Sequence, residues 1–316
     1  MIQFEAAFPC LPIDVSTWQE DEEWALYPEG ARAKSAYFPP TGQLPDFIKP
    51  TRRYLFKHSS RRYPDQFWAE VVAYYIGCLL GVEVPPAYPA INSTTGQCGA
   101  LIEWFYEDDQ ALLVMGGDFM QKMIPDFDRK RGRQHNFYTV RVLFRGLQQA
   151  GFVTADWSNM WERMLLFDAL CGNTDRHQDN WGILFDRMDG SKRACLSPAY
   201  DNGTGLGHEL SETHQGEWQS DSIRRYISRG HHHIKWRLDD TVHENHAEFI
   251  RKLEKQFPEN GGMMLSLLSG FDMAALRENL NKMSAVRMPI ALTEWRRHLI
   301  YALVETRRRL LIEVLQ

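Results

Sequence analysis

The sequence contains no run approaching the roughly 18 uninterrupted apolar residues that a membrane span requires, so no transmembrane helix is expected. Its start, Met1-Ile2-Gln3-Phe4-Glu5, lacks the basic residues and apolar stretch of a secretory leader. Cysteine is scarce: Cys10, Cys78, Cys98, Cys171 and Cys195 are odd in number, scattered and without a CxxC pair. That pattern argues against a disulfide framework and a zinc site, and predicts reduced, mostly buried thiols. Neither sign of charge dominates. A formal charge of −5 supplies no global field toward nucleic acid or anionic membrane, so a dedicated nucleic-acid binder is disfavoured. Internal repeats and low-complexity tracts are absent as well.

What is present belongs to an ordered chain. Its 316 residues are 44% hydrophobic and 12% aromatic, with ten tryptophans, enough to bury a sizeable core. Eleven of the fifteen prolines lie before Asn92, in a region that reads as short strands, turns and one good helix. From about Ala111 the pattern turns mostly helical, interrupted by residues 171–207. The chain therefore reads as α+β, with a small strand-rich lobe over 1–108 and a larger helical lobe over 109–316. Tyr54-Leu55-Phe56-Lys57 reads as a buried strand ending in a lysine. Apolar residues at 68, 71, 72, 75, 76, 79 and 80 then mark a helix, with Asp65 as its N-cap and Gly81 as its stop. Gly99 to Phe105 reads as a strand leading to the lobe junction. Trp181–Phe185 and Lys192–Leu196 read as two strands turning at Asp189-Gly190.

The chemistry concentrates in Gly172-Asn173-Thr174-Asp175-Arg176-His177-Gln178-Asp179-Asn180 and in Ala199-Tyr200-Asp201-Asn202-Gly203. Phosphoryl transfer from ATP needs a carboxylate to orient the attacking hydroxyl and oxygen ligands to hold magnesium. Asp175 suits the first task, and Asn180 with Asp201 suits the second. Any one of these alone is more often a turn residue, but the ordered set with its hairpin is hard to obtain by chance. Lys57 would anchor phosphates, held by Glu70 of the following helix. His177 reads as a structural residue bonded to loop backbone. Arg176 either pairs with a carboxylate or faces solvent. Gly30-Ala31-Arg32-Ala33-Lys34-Ser35 either covers phosphates with its N–H groups or is a plain surface turn. The basic and aromatic run Arg224–Trp236 reads as a solvated helix face followed by a turn, and its three adjacent histidines do not make a zinc site.

These residues resemble the HipA-like serine/threonine kinases. Asn173-x-Asp175-Arg176-His177-x-x-Asn180 is similar to that family's catalytic loop, and Asp201 to its metal-binding aspartate. Leu55-Phe56-Lys57 resembles the ATP-binding strand, and Gly30–Ser35 the phosphate loop. Leu80-Gly81-Val82-Glu83-Val84-Pro85 resembles the turn after the helix, and Leu101–Phe105 the strand reaching the hinge. The resemblance implies a bilobal protein-kinase-like fold and a kinase using ATP and Mg2+ on protein Ser/Thr, with autophosphorylation included. Asp175 would be catalytic, Asn180 and Asp201 would hold metal, and Lys57, Glu70, Gly30, Lys34, Ser35 and Glu103 would bind nucleotide. A further N-terminal subdomain of the full-length members has no room here, so the chain looks like a short, HipT-type member or an effector-like kinase. An antitoxin-like partner and a cytoplasmic location, or delivery into a host cell, follow from the same resemblance. The Asp-Arg-His-x-x-Asn core also resembles phosphatidylinositol kinases, so a lipid or small-molecule acceptor stays open, as does an inactive kinase-like binding module.

Overall fold

Short β-rich segments near the start pair into one sheet because their apolar residues alternate toward a common core. The computed structural model describes residues 11–22, 34–42, 44–154, 156–188, 193–212, 218 and 220–316. Six strands, β1 (Ile13–Asp14), β2 (Gln19–Glu20), β3 (Lys34–Phe38), β4 (Tyr54–His58), β5 (Ala87–Asn92) and β6 (Gln97–Glu103), form a sheet in the order β1-β5-β6-β4-β3-β2. Among the described strands of this sheet, only the β1–β5 pair is parallel. β4 is central, with Lys57 opposite Ala100 of β6 on one side and Lys34 of β3 on the other. Tyr54 and Phe56 point into a core with Trp18, Ile48 and Leu101.

The helix expected after β4 is α1 (Phe67–Leu80), closed by Gly81. It is apolar nearly all round because it lies between the sheet, at β5 and β6, and the helices of the second lobe. Its N-cap differs from expectation. The helix begins after Gln66, and Ser59 Oγ accepts the Phe67 N–H at 2.8 Å. Asp65 instead accepts Arg296 Nε at 2.9 Å, a tertiary demand that outranks local capping.

The second lobe starts with a strand, where a mostly helical pattern was expected. β7 (Ala111–Met115) pairs with β8 (Gly182–Asp186), which pairs with β9 (Ala194–Leu196). A short apolar run such as Ala111–Met115 has no periodicity to separate strand from helix, and pairing with β8 decides it. The turn between β8 and β9, Asp189-Gly190, lies outside the described residues, as do Gly30 to Ala33.

Helices α2 (Gly116–Met123), α3 (Phe137–Gln149), α4 (Trp157–Cys171), α5 (Ser220–Arg229), α6 (His246–Gln256), α7 (Pro258–Gly270), α8 (Met273–Ser284) and α9 (Glu294–Leu315) complete the lobe. Side chains of Asn136, Asn245, Asp272 and Thr293 cap α3, α6, α8 and α9. The long α9 packs against α4 to α8. Between the lobes, the stretch after β6 is fixed by Arg53, which pairs with Asp21 at 2.9 Å and Asp108 at 3.3 Å and lies over Trp104. No described helix is long and apolar enough to cross a membrane.

α4 carries two acids into this core, Glu162 and Asp168, and the first has no cationic partner among the described residues. Glu162 is fully buried, accepts Asn260 Nδ2 at 3.0 Å through Oε1, and leaves Oε2 without a partner. Burial pushes its pKa up to about 7. A folded-state value above the unfolded one means that the protonated acid is the stable form, with stability lost as pH rises through about 7. The loss amounts to at most about 3 kcal/mol. Glu162→Gln is therefore expected to raise the melting temperature at pH 8 and to change it little at pH 5, read by thermal denaturation at the two pH values. An equal effect at both would refute the assignment.

Candidate active site

Lys57 ends the buried run of β4, and Glu70 lies in the first turn of α1 facing it. The Lys57 ammonium donates to Glu70 Oε1 at 2.7 Å and to Asp201 Oδ1 at 2.5 Å. Lys57 and Glu70 are both buried, while Asp201 is half-buried. The second oxygen of Glu70 accepts the Asn202 N–H at 2.8 Å, and Gln66 Nε2 donates to the Gly203 carbonyl at 3.0 Å. The strand lysine, the helix glutamate and the Asp201-Asn202-Gly203 segment therefore form one hydrogen-bonded unit across the two lobes. Asp201 has φ +56°, a left-handed conformation uncommon outside glycine, asparagine and aspartate. Such conformations collect where a side chain must be aimed.

The loop carrying Asp175 leaves α4 through Gly172, at φ +68°, where a Cβ would come within 2.1 Å of Arg307 Nη2. Glycine suits the backbone angle there, and a larger residue would also have to displace the Arg307 guanidinium. Asn173 then organises the turn: its Oδ1 accepts Asp175 N–H at 3.0 Å and Thr204 Oγ1 at 2.7 Å, and its Nδ2 donates to Asp168 at 3.1 Å. Asn180 Nδ2 donates to the Asp175 carbonyl at 2.7 Å, which fixes the amide and leaves its oxygen as the other polar atom. His177 Nδ1 accepts the Asp179 N–H at 3.1 Å, the backbone-bonding role expected of it.

Arg176 holds the two motif segments together. Its guanidinium, 1% exposed, donates to both oxygens of Asp168 at 3.0 and 2.7 Å, to Asn202 Oδ1 at 2.7 Å, and to the carbonyls of Asn180 and Tyr200. Burial opposes its charge, but the Asp168 carboxylate outweighs that and holds the Arg176 pKa above its ordinary value. Of the two roles open to Arg176, pairing with a carboxylate is the one observed. His246 Nε2 lies 3.2 Å from the Asn173 carbonyl, so this nitrogen carries the proton. Burial, with Arg307 nearby, lowers the His246 pKa to about 3, so the ring stays neutral.

The donor set is hard oxygen from one amide and one carboxylate beside a lysine held by an acid, which suits magnesium and phosphate better than a soft metal. Among the described residues no group of three His, Cys, Asp or Glu side chains could hold a metal by itself.

The HipA-like C-terminal domain family matches residues 28–259. The chain belongs to the HipA-like family. No curated protein matches it. Among solved structures, that of a Helicobacter pylori proinflammatory kinase, CtkA, is 19% identical with a TM-score of 0.72, over 96% of this chain and 96% of that one. The fold is thus that of a HipA-like kinase. A Shewanella oneidensis HipA bound to HipB and operator DNA is 9% identical with a TM-score of 0.45, over 96% of this chain and 72% of that one.

Within this HipA-like chain, Lys57, Glu70 and Asp201 are brought into contact, and Asp175 and Asn180 share one turn. Lys34 and Ser35 lie on β3, opposite Lys57 and Phe56, and Gly30 lies outside the described residues. Glu103 ends β6 with its carboxylate engaged by Lys49 at 2.6 Å and its N–H by the Pro86 carbonyl. Asp168, Thr204 and His246 were not singled out by the sequence, and Asn202 stood in the Ala199–Gly203 stretch without a role of its own. Asp168 carried a usable signal: a lone acid in the apolar stretch Met164–Cys171 demands a buried cationic partner.

Proposed function

We propose that this chain is an ATP- and magnesium-dependent kinase that phosphorylates Ser or Thr hydroxyls of protein, itself included, with residues 1–108 and 109–316 as its lobes. The observation that carries the reading is the Lys57 ammonium seated between Glu70 and Asp201. That is the arrangement a phosphate-anchoring lysine and a metal-binding aspartate need, with the helix glutamate keeping the lysine in place. Bound ATP would supply the phosphoryl group, and magnesium would neutralise the charge on its oxygens. Asn180 and Asp201 are the residues to hold the ion, and Lys57 the one to meet the phosphates. Asp175 would orient the acceptor hydroxyl and take its proton as the oxygen bonds to the γ-phosphorus and the bond to the departing ADP breaks. Arg176 fixes Asn180 and Asn202 relative to each other, so these groups need not reorganise during the reaction.

The test is incubation of the purified chain with Mg-ATP followed by mass spectrometry. Phosphoserine or phosphothreonine on the chain or on added protein is expected, and EDTA should abolish it. Phosphate appearing only on phosphoinositides would refute the protein acceptor, and no transfer at all would refute the kinase.

A further inference from the structure

Beside the candidate catalytic loop sits a second loop, residues 126–134, that the reading above leaves unused. Its sequence, Asp126-Phe127-Asp128-Arg129-Lys130-Arg131-Gly132-Arg133-Gln134, carries four cations in a chain of net charge −5. It is tightly built. Gly132 N–H donates to the Asp128 carbonyl at 2.7 Å, Arg131 N–H to Asp128 Oδ1 at 3.2 Å, and Asp128 N–H to Gln134 Oε1 at 2.8 Å. It is also fastened to the catalytic loop. Arg129 donates to Asp179 at 2.8 and 3.1 Å and to Asp118 at 2.7 Å, and Gln178 Nε2 donates to the Arg129 carbonyl. At the tip, Gly132 has φ +59° and lies so close to Gln178 and His233 that a Cβ would meet Gln178 Oε1 at 2.2 Å.

One arginine is consumed in this anchoring, and the other three cations turn outward. Lys130, Arg131 and Arg133 are exposed. Arg131 has a loose contact with Asp128 at 3.7 Å, and Lys130 and Arg133 have no ion-pair partner among the described residues. The neighbouring His233 stays neutral, its pKa lowered to about 4 by burial, so the local positive charge belongs to these three side chains. Gln178 and Asp179 stand three and four residues after Asp175, so the loop bearing these cations is fastened to the segment that carries the hydroxyl-orienting residue.

We infer that Lys130, Arg131 and Arg133 form an acceptor-docking surface that recognises an acidic peptide segment flanking the phosphorylated hydroxyl. This rests on the reading of Asp175 as the residue that orients that hydroxyl. A short acidic segment fits better than nucleic acid. Three cations with Asp126 and Asp128 in the same loop suit a few carboxylates, whereas a long polyanion would also meet the acidic remainder of the chain.

The test is fluorescence anisotropy of the full chain with labelled serine peptides that differ only in Glu, Gln or Lys flanks, and with a single-stranded RNA oligonucleotide. The Glu peptide should bind about tenfold tighter than the Gln peptide, and more weakly as salt rises. The K130E/R131E/R133E variant should lose that preference, while R224E/R225E on α5, with the exposed arginines of another surface, should keep it. If the triple reversal lowers the melting temperature, the neutralising pair Lys130→Gln and Arg133→Gln carries the comparison. Equal affinity for the three peptides, or a preference that survives these changes, overturns the inference. So does RNA binding tighter than the Glu peptide and lost in the loop variant. Phosphate transfer by the unaltered chain is measured separately: no transfer alongside an intact Glu preference removes the kinase reading, and with it the acceptor role, and leaves only an acidic-peptide-binding surface.

Discussion

Asp175→Ala is expected to lower phosphate transfer by about a hundred- to ten-thousandfold, the range for losing a positioned base, while the main-chain hydrogen bonds of its turn remain. The second half of that expectation comes from the hydrogen bonds. Asp175 N–H is held by Asn173 Oδ1 at 3.0 Å, and its carbonyl accepts His177 N–H at 2.8 Å and Asn180 Nδ2 at 2.7 Å. All three involve main-chain atoms of Asp175, so each of them survives removal of the carboxylate. Asp175→Asn keeps the shape but cannot take the hydroxyl proton, and should match alanine in rate. Nucleotide affinity, measured by calorimetry, should be nearly unaltered in both, because Lys57, Asn180 and Asp201 remain. A transfer rate within a few-fold of the unaltered chain would remove Asp175 from the chemistry.

Local features were legible in the sequence because their causes are local. A buried strand ending in Lys57, an apolar helix closed by Gly81 and the loop from Gly172 to Asn180 each depend on residues within one or two turns of chain. Where tertiary contacts chose among local options, legibility ended. Asp65 could have capped α1 but accepts Arg296 from α9 instead. Residues 111–115 were ambiguous until β8 offered a partner. In the candidate site the sequence supplied the groups that would meet nucleotide but not those that hold them. Asp168, Asn202 and Thr204 are turn or helix residues by type, and their importance appears only when Arg176 and Asn173 are seen between them. A support shell is assembled from distant segments, and its members need not follow any spacing rule.

That shell can be tested through its centre. Arg176→Met keeps much of the side-chain volume but removes every donor of the guanidinium. Asp168, 0% exposed, would retain only Asn173 Nδ2 at 3.1 Å among the hydrogen bonds its side chain now has. An orphaned buried carboxylate costs about 3–5 kcal/mol, which for a chain of this size lowers the melting temperature by roughly 10 °C. Arg176→Lys should fall nearly as far, because one ammonium cannot span both oxygens of Asp168, Asn202 and two carbonyls at once. Adding Asp168→Asn to Arg176→Met removes the stranded charge, so the double variant should recover part of the lost stability. Phosphate transfer should not recover with it. The Asn180 carbonyl and the Asn202 amide would still lack their shared donor, and the proposed metal-holding oxygens would lose their fixed relation. Melting and transfer that recovered together would reduce Arg176 to a charge partner of Asp168, whereas their separation would make it the positioning residue of the site.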